Sequence, residues 1–191
     1  MARNSPSEDG PRARLFLALD PDDATRAELA NWRSRLVAGR DDVRPAPAAT
    51  LHLTLAFLGS RREDEIEAIA TAAFHAVAGL EAAELVPRGV VAVPRRGAPR
   101  LFALDLTDED GRAARVQAGV ADALARGGFY KPEQRPWWPH VTLARVRRGE
   151  RADPLEETGM PKRLRAPHVT LYRSHLHPHG ARYEALQRMT I

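Results

Sequence analysis

The sequence predicts an α+β protein assembled from two copies of one unit that close on a central cleft. Three observations carry this. Short apolar runs of strand length alternate with segments whose apolar residues recur at helical spacing. Arg14 to Asp20 (RLFLALD) is echoed 86 residues later by Arg100 to Leu106 (RLFALDL). His52-Leu-Thr-Leu-Ala is echoed 88 residues later by His140-Val-Thr-Leu-Ala. In both copies the first strand leads into a helix and then into the H-x-T strand. The repeats then run from about 14 to 99 and from about 100 to 191. A pseudo-twofold relation brings equivalent strands face to face, so one histidine is expected from each side of the cleft.

Each element has its own signal. Arg14 to Asp20 reads as a strand, and Asp20-Pro21-Asp22-Asp23 supplies an N-cap, a first-turn proline and acidic residues for a helix carrying Leu29, Trp32 and Leu36. A proline-broken loop from Val43 to Ala49 leads into a strand over Leu51 to Leu58. Ser60-Arg61-Arg62-Glu63 has the form of a capping box before a second helix, whose stripe is Ile66, Ile69, Ala73 and Val77. Leu85 to Val93 and Arg100 to Thr107 form a hairpin around the basic loop Pro94 to Pro99. A third helix is written in Ala113, Val116, Val120 and Leu124, and Gly127-Gly128 ends it. Pro139 to Val146 is a strand, and Arg147 to Lys162 a charged connection with one short helix. Leu164 to Ser174 pairs with Arg182 to Ile191 as a closing hairpin.

Composition narrows the function classes. At 191 residues the chain can bury a core as one domain or two small lobes. It has no cysteine, which excludes disulfides, thiolate metal sites and cysteine nucleophiles. Apolar runs such as Leu15 to Leu19 are too short to cross a bilayer, and Met1 to Pro11 lacks the apolar centre of a signal peptide. A soluble, cytoplasmic protein with no membrane partner is expected. Residues 1–12 are polar and read as a flexible tail, leaving 13–191 as a single bilobal catalytic domain. The net charge of +4 hides a skew, because Lys131 and Lys162 are the only lysines among 29 basic residues. GC-rich coding explains such an arginine excess, and so does a phosphate site lined by guanidinium forks; composition does not separate the two.

The histidine strands carry the chemistry. Side chains alternate along a strand, so His52 and Thr54 share one face while Leu53 and Leu55 share the other. His140 and Thr142 stand in the same relation to Val141 and Leu143. Each strand buries its aliphatic residues and presents an imidazole and a hydroxyl to the cleft. A phosphodiester needs that set: one neutral imidazole takes a proton from the attacking oxygen, one imidazolium gives a proton to the leaving oxygen, and hydroxyls donate to nonbridging oxygens. A histidine pair runs this chemistry near neutrality without metal or cofactor. Arg145 falls on the wrong parity for this face and needs a twist or bulge to reach the phosphate.

These residues resemble the 2H phosphoesterase family, and within it the RNA 2',3'-cyclic phosphodiesterases, also called 2'-5' RNA ligases. The resemblance runs from Arg14 to the C-terminus. It rests on RLFLAL, on HLTLAFLG at His52 to Gly59, on PHVTLAR at Pro139 to Arg145, and on Leu171 to Ser174 with Gly180 and Tyr183. It implies a bilobal fold with antiparallel sheets lining the cleft and helices outside. It further implies metal-independent opening of a 2',3'-cyclic phosphate at an RNA 3' end, leaving a 2'-phosphate. A monomer is expected. By the same resemblance His52 is the proton donor to the 3' oxygen and His140 the acceptor that activates water. Thr54 and Thr142 hold the phosphate and Arg145 assists.

Other residues compete for a role. Pro167 to Arg173 (PHVTLYR) matches the second motif more closely than the first motif does, but the repeat aligns His168 with the apolar strand Leu85 to Val93 and so favours pairing His140 with His52. His175, His177 and His179 alternate but lie at an expected hairpin tip, which points to a turn, not a metal site. His75 reads as a surface residue. Trp137 and Trp138 are candidates to stack on a terminal base. Arg95-Arg96, Arg147-Arg148 and Arg163-Arg165 are candidates for the RNA backbone. Two further readings stay open: action on another cyclic phosphate or a 2',5' linkage, ligation included, and a non-catalytic RNA-binding module.

Overall fold

The computed structural model describes residues 10–177 and 181–191. The chain runs β1 (Arg12–Asp20), α1 (Asp23–Leu36), β2 (Val43–Pro45), β3 (Leu53–Arg62), α2 (Ile66–Val77), β4 (Ala83–Val93), β5 (Leu101–Thr107), α3 (Arg112–Arg126), β6 (His140–Val146), β7 (Leu164–Ala166), β8 (His168–His175) and β9 (Arg182–Thr190). The residues expected in a tail fall largely outside the described ones, and Arg12 is already in β1.

Two antiparallel sheets result, one ordered β3-β1-β8-β9 and the other β2-β6-β5-β4-β7. Read from the histidine strands outward, the first sheet runs β3, β1, β8, β9 and the second β6, β5, β4, β7, with β2 added beside β6. The sheets do not divide the chain into halves. β4 comes from the first half and lies in the second sheet, while β8 and β9 come from the second half and lie in the first.

Burial explains the sequence pattern. β1 is central in its sheet, so Leu15, Leu17 and Leu19 enter the main core while Phe16 and Ala18 face an aromatic cluster with Tyr172 on the opposite side. A strand covered on both faces reads as a continuous apolar run. Ile69, Ala73 and Val77 of α2 and Val116, Val120 and Leu124 of α3 join Leu53, Leu104 and Val141 in one core. The two helices pack closely at Gly119, where a Cβ would come 3.2 Å from the Ala76 carbonyl.

Four details depart from the sequence expectation. The N-cap of α1 is Asp22, whose Oδ1 accepts from the Thr25 amide at 2.8 Å. Asp20 is instead the buried last residue of β1. Ser60 is not a cap, because β3 continues through Arg62 and Ser60 Oγ accepts from Arg12 Nε at 3.1 Å. The reciprocal bond forms two residues later, from the Arg62 amide to Glu65 Oε2 at 2.8 Å. No helix forms between Arg147 and Lys162. Finally, Pro167 cannot donate to a ladder, and the expected single strand divides there: β7 pairs with β4 in one sheet and β8 with β1 and β9 in the other.

Candidate active site

β3 and β6 deliver their motifs to one cleft. Its walls include His52, Thr54, His140, Thr142 and Arg145, together with Arg44, Thr50, Phe57 and Tyr183. All five sequence-predicted site residues are therefore brought together.

Arg145 reaches the cleft through a bulge. Phe102 and Ala103 of β5 pair with Ala144 and Thr142, which leaves Leu143 as the extra residue of β6 and restores Arg145 to the face of Thr142. The first copy repeats the device. Leu17 and Ala18 pair with Ala56 and Thr54, so Leu55 is extra and Phe57 is turned toward the cleft. Phe57 thus holds the position in copy one that Arg145 holds in copy two. It is 61% exposed, unusual for a phenylalanine, at the border between the cleft and a second groove lined by Tyr130, Trp137 and Trp138.

The two histidines are held differently. His140 Nδ1 lies 2.8 Å from the Trp138 carbonyl oxygen, which can only accept, so the neutral ring carries its proton on Nδ1 and leaves Nε2 with a lone pair. Its ring stacks on Trp138 at 4.0 Å and 13°. Burial lowers its proton affinity, against the Trp138 carbonyl and the Asp105 charge, which raise it. His52 Nε2 lies 3.3 Å from Thr54 Oγ1, and its Nδ1 is buried with no partner in hydrogen-bond geometry. Burial pushes this histidine down to about 4; Asp20 opposes the shift, while Arg26 and His140 add to it. Phe16 and Tyr183 pack against its ring at 5.1 and 5.5 Å.

Other candidates lie elsewhere or are otherwise engaged. His168 is not among the cleft residues, and its Nδ1 meets Thr190 Oγ1 at 3.1 Å. His175 pairs with Glu184 at 2.9 Å, and His179 lies outside the described residues. His75 is exposed on α2. Trp137 donates to the Thr54 carbonyl at 2.9 Å, and Trp138 donates to Asp105 at 2.6 Å. Of the basic clusters, Arg95 approaches the site, 3.7 Å from Asp105, whereas Arg165 pairs with the α1 cap Asp22 and Arg163 with Glu84. Sequence reasoning missed Arg44, Phe57 and the two aspartates, Asp20 and Asp105, whose charges act on the histidines. For Asp20 and Asp105 a signal existed, since each follows Ala-Leu in its copy of the repeated strand motif.

Fold and cleft together define a phosphoesterase of the two-histidine class. Comparison with known proteins agrees: residues 19–102 match the model of the LigT like phosphoesterase family. The RNA 2',3'-cyclic phosphodiesterase of Thermus thermophilus is 32% identical over 184 residues, covering 93% of this chain and 90% of the relative. The chain belongs to the LigT-like 2H phosphoesterase family. Its fold superposes on a solved protein of Thermus thermophilus with a TM-score of 0.77 at 26% identity, covering 93% of this chain and 97% of that one. It superposes on Escherichia coli LigT, solved with 3'-AMP, with a TM-score of 0.75 at 25% identity, covering 95% and 99%.

Proposed function

We propose that the protein hydrolyses RNA 2',3'-cyclic phosphate ends to 2'-phosphomonoesters by two-histidine acid–base catalysis. The observation that supports this most is the convergence of His52, Thr54, His140, Thr142 and Arg145 on one cleft. The relatives named RNA 2',3'-cyclic phosphodiesterase support the substrate class. The Nε2 lone pair of His140 takes a proton from water as its oxygen bonds to phosphorus. The bond from phosphorus to the 3' oxygen breaks, and protonated His52 gives that oxygen its proton. The threonine hydroxyls and the Arg145 guanidinium stabilise the nonbridging oxygens, where charge accumulates. Phe57 offers an apolar face to a base at the cleft border. Site-bound metal has no necessary part in these proton transfers, so activity should persist in EDTA.

The deciding experiment is turnover of an oligoribonucleotide ending in a 2',3'-cyclic phosphate by wild type, H52A and H140A, with product identified by NMR. The expected result is a 2'-phosphomonoester from wild type and losses of about 10²–10⁴-fold in each variant. A 3'-phosphomonoester product, or full activity in both variants, would sink the reading.

A further inference from the structure

The repeat that brings in each histidine also brings in an aspartate. Asp20 ends the first copy of the repeated strand motif, and Asp105 is the last residue but one of the second. Asp105 pairs with His140 across β5 and β6. In the first sheet the β1–β3 ladder ends at Leu19 and Leu53, the residues next to Asp20 and His52. Neither aspartate is among the residues lining the catalytic cleft.

Each aspartate grips an aromatic ring that lies nearly parallel to its histidine. Asp105 Oδ1 accepts from Trp138 Nε1 at 2.6 Å, and Trp138 stacks on His140. Asp20 Oδ2 accepts from the Tyr172 hydroxyl at 2.8 Å, and the Tyr172 ring lies 6.0 Å from His52 at 28°. Asp20 is fully buried and also accepts from Thr170 Oγ1 at 2.6 Å. Its Oδ1 and the Nδ1 of His52 are both buried without a partner in good hydrogen-bond geometry; Arg26 lies 3.7 Å from that Oδ1, and the Thr50 backbone acts on the imidazole. A buried carboxylate needs compensation, and Asp20 finds it partly in Arg26 and Arg188, each at 3.7 Å. Its negative charge also acts on the His52 imidazole, favouring the protonated ring.

We propose that Asp20 and Asp105 are positioning residues, each acting as the counter-charge that favours the imidazolium form of its histidine: Asp20 for the proton His52 gives up, Asp105 for the proton His140 receives. The inference rests on the two-histidine reading of the cleft. The other groups that act on His52 are Arg26 from α1, the Thr50 backbone, Phe16 from β1, Tyr172 from β8, Tyr183 from β9, Thr54 from β3 and His140 from β6. Those around His140 are Trp138 and, through Asp105, Arg95 of the β4–β5 loop. Arg44 and Arg145 also border the shared cleft. Among these groups, the carboxylates are the ones whose charge favours the imidazolium.

The test is imidazole NMR titration of full-length protein, saturated with inorganic phosphate, in wild type, D20N and D105N. Asparagine keeps an oxygen that can accept from the hydroxyls or the indole and removes the charge. The expected result is that D20N lowers the titration midpoint of His52 by about one pH unit and leaves His140 in place, while D105N does the reverse. Unmoved midpoints in both variants, or equal shifts of both histidines in each, would overturn the proposal. A purely structural role predicts the former, with a lower Tm alone. Because the midpoints are read without turnover, the outcome stands apart from whether H52A and H140A lose activity.

Discussion

His140 donates its Nδ1 proton to the carbonyl oxygen of Trp138, two residues back along its own chain. That bond fixes the tautomer from within the strand and points the basic nitrogen at the cleft. Asparagine at this position can keep the donor and lose the base. H140N is therefore expected to fold with nearly wild-type Tm while kcat/KM falls about 10²–10⁴-fold. Calorimetry beside steady-state kinetics checks this; an active H140N would remove His140 from the proton transfer.

The pH dependence of catalysis follows from both histidines being hard to protonate in the free protein. The active form needs one protonated and one neutral ring. With His52 down to about 4 and His140 below the usual histidine value, singly protonated protein is most populated above about pH 4 and below about 6.5. Because catalysis places the proton on His52, the more strongly depressed ring, the productive arrangement is a minor share of that population and follows the same pH profile. kcat/KM, which reports the free enzyme, should peak there and fall toward pH 8. A bound phosphate anion favours the imidazolium, so the kcat profile should lie at higher pH. A kcat/KM optimum above pH 8 would contradict the burial of the two rings.

Stability has the same origin. The unfolded chain protonates His52 near pH 6.5 and the folded chain only near 4, so below 6.5 the unfolded state binds more protons. The contribution is fully present above pH 6.5 and is lost as pH falls toward 4. Allowing for solvent at the cleft edge of the ring, the loss is about 2 kcal/mol. H52N lacks the titration, and urea unfolding at pH 7 and pH 4.5 should show a smaller acid loss in the variant than in wild type.

Phe57 and Arg145 occupy matching places in the two copies with different chemistry, and their variants should separate. F57A is expected to raise KM with kcat little changed, since stacking on a base is worth about 1–3 kcal/mol and is shared by ground and transition states. R145A should lower kcat/KM about 10–100-fold through lost charge-assisted bonds to phosphate. R145K should recover only part of that, because lysine lacks the planar fork. Steady-state kinetics on a cyclic-phosphate dinucleotide distinguishes the patterns.

Much of the site could be read in advance because it is periodic. Strand alternation put His52 with Thr54 and His140 with Thr142, and the repeat offset paired the two motifs. Alternation alone set Arg145 on the wrong face, and a bulge at Leu143 corrected it. An aspartate before proline and further acids carries the local signal of a helix cap, yet Asp20 is the buried last residue of β1. Its burial depends on β8, some 150 residues away, whose Thr170 and Tyr172 hydroxyls hold it.

By itself the sequence determined the elements, the duplicated H-x-T strands and the residue types that meet a phosphodiester, since these depend on spacing along a single strand or helix. Only the tertiary structure decided which strands share a sheet, which charges act on each histidine, and that Phe57 faces the cleft opposite Arg145. Those relations arise from pairing between distant segments and from bulges. One extra residue there reverses every side chain beyond it, and no local pattern encodes where it falls.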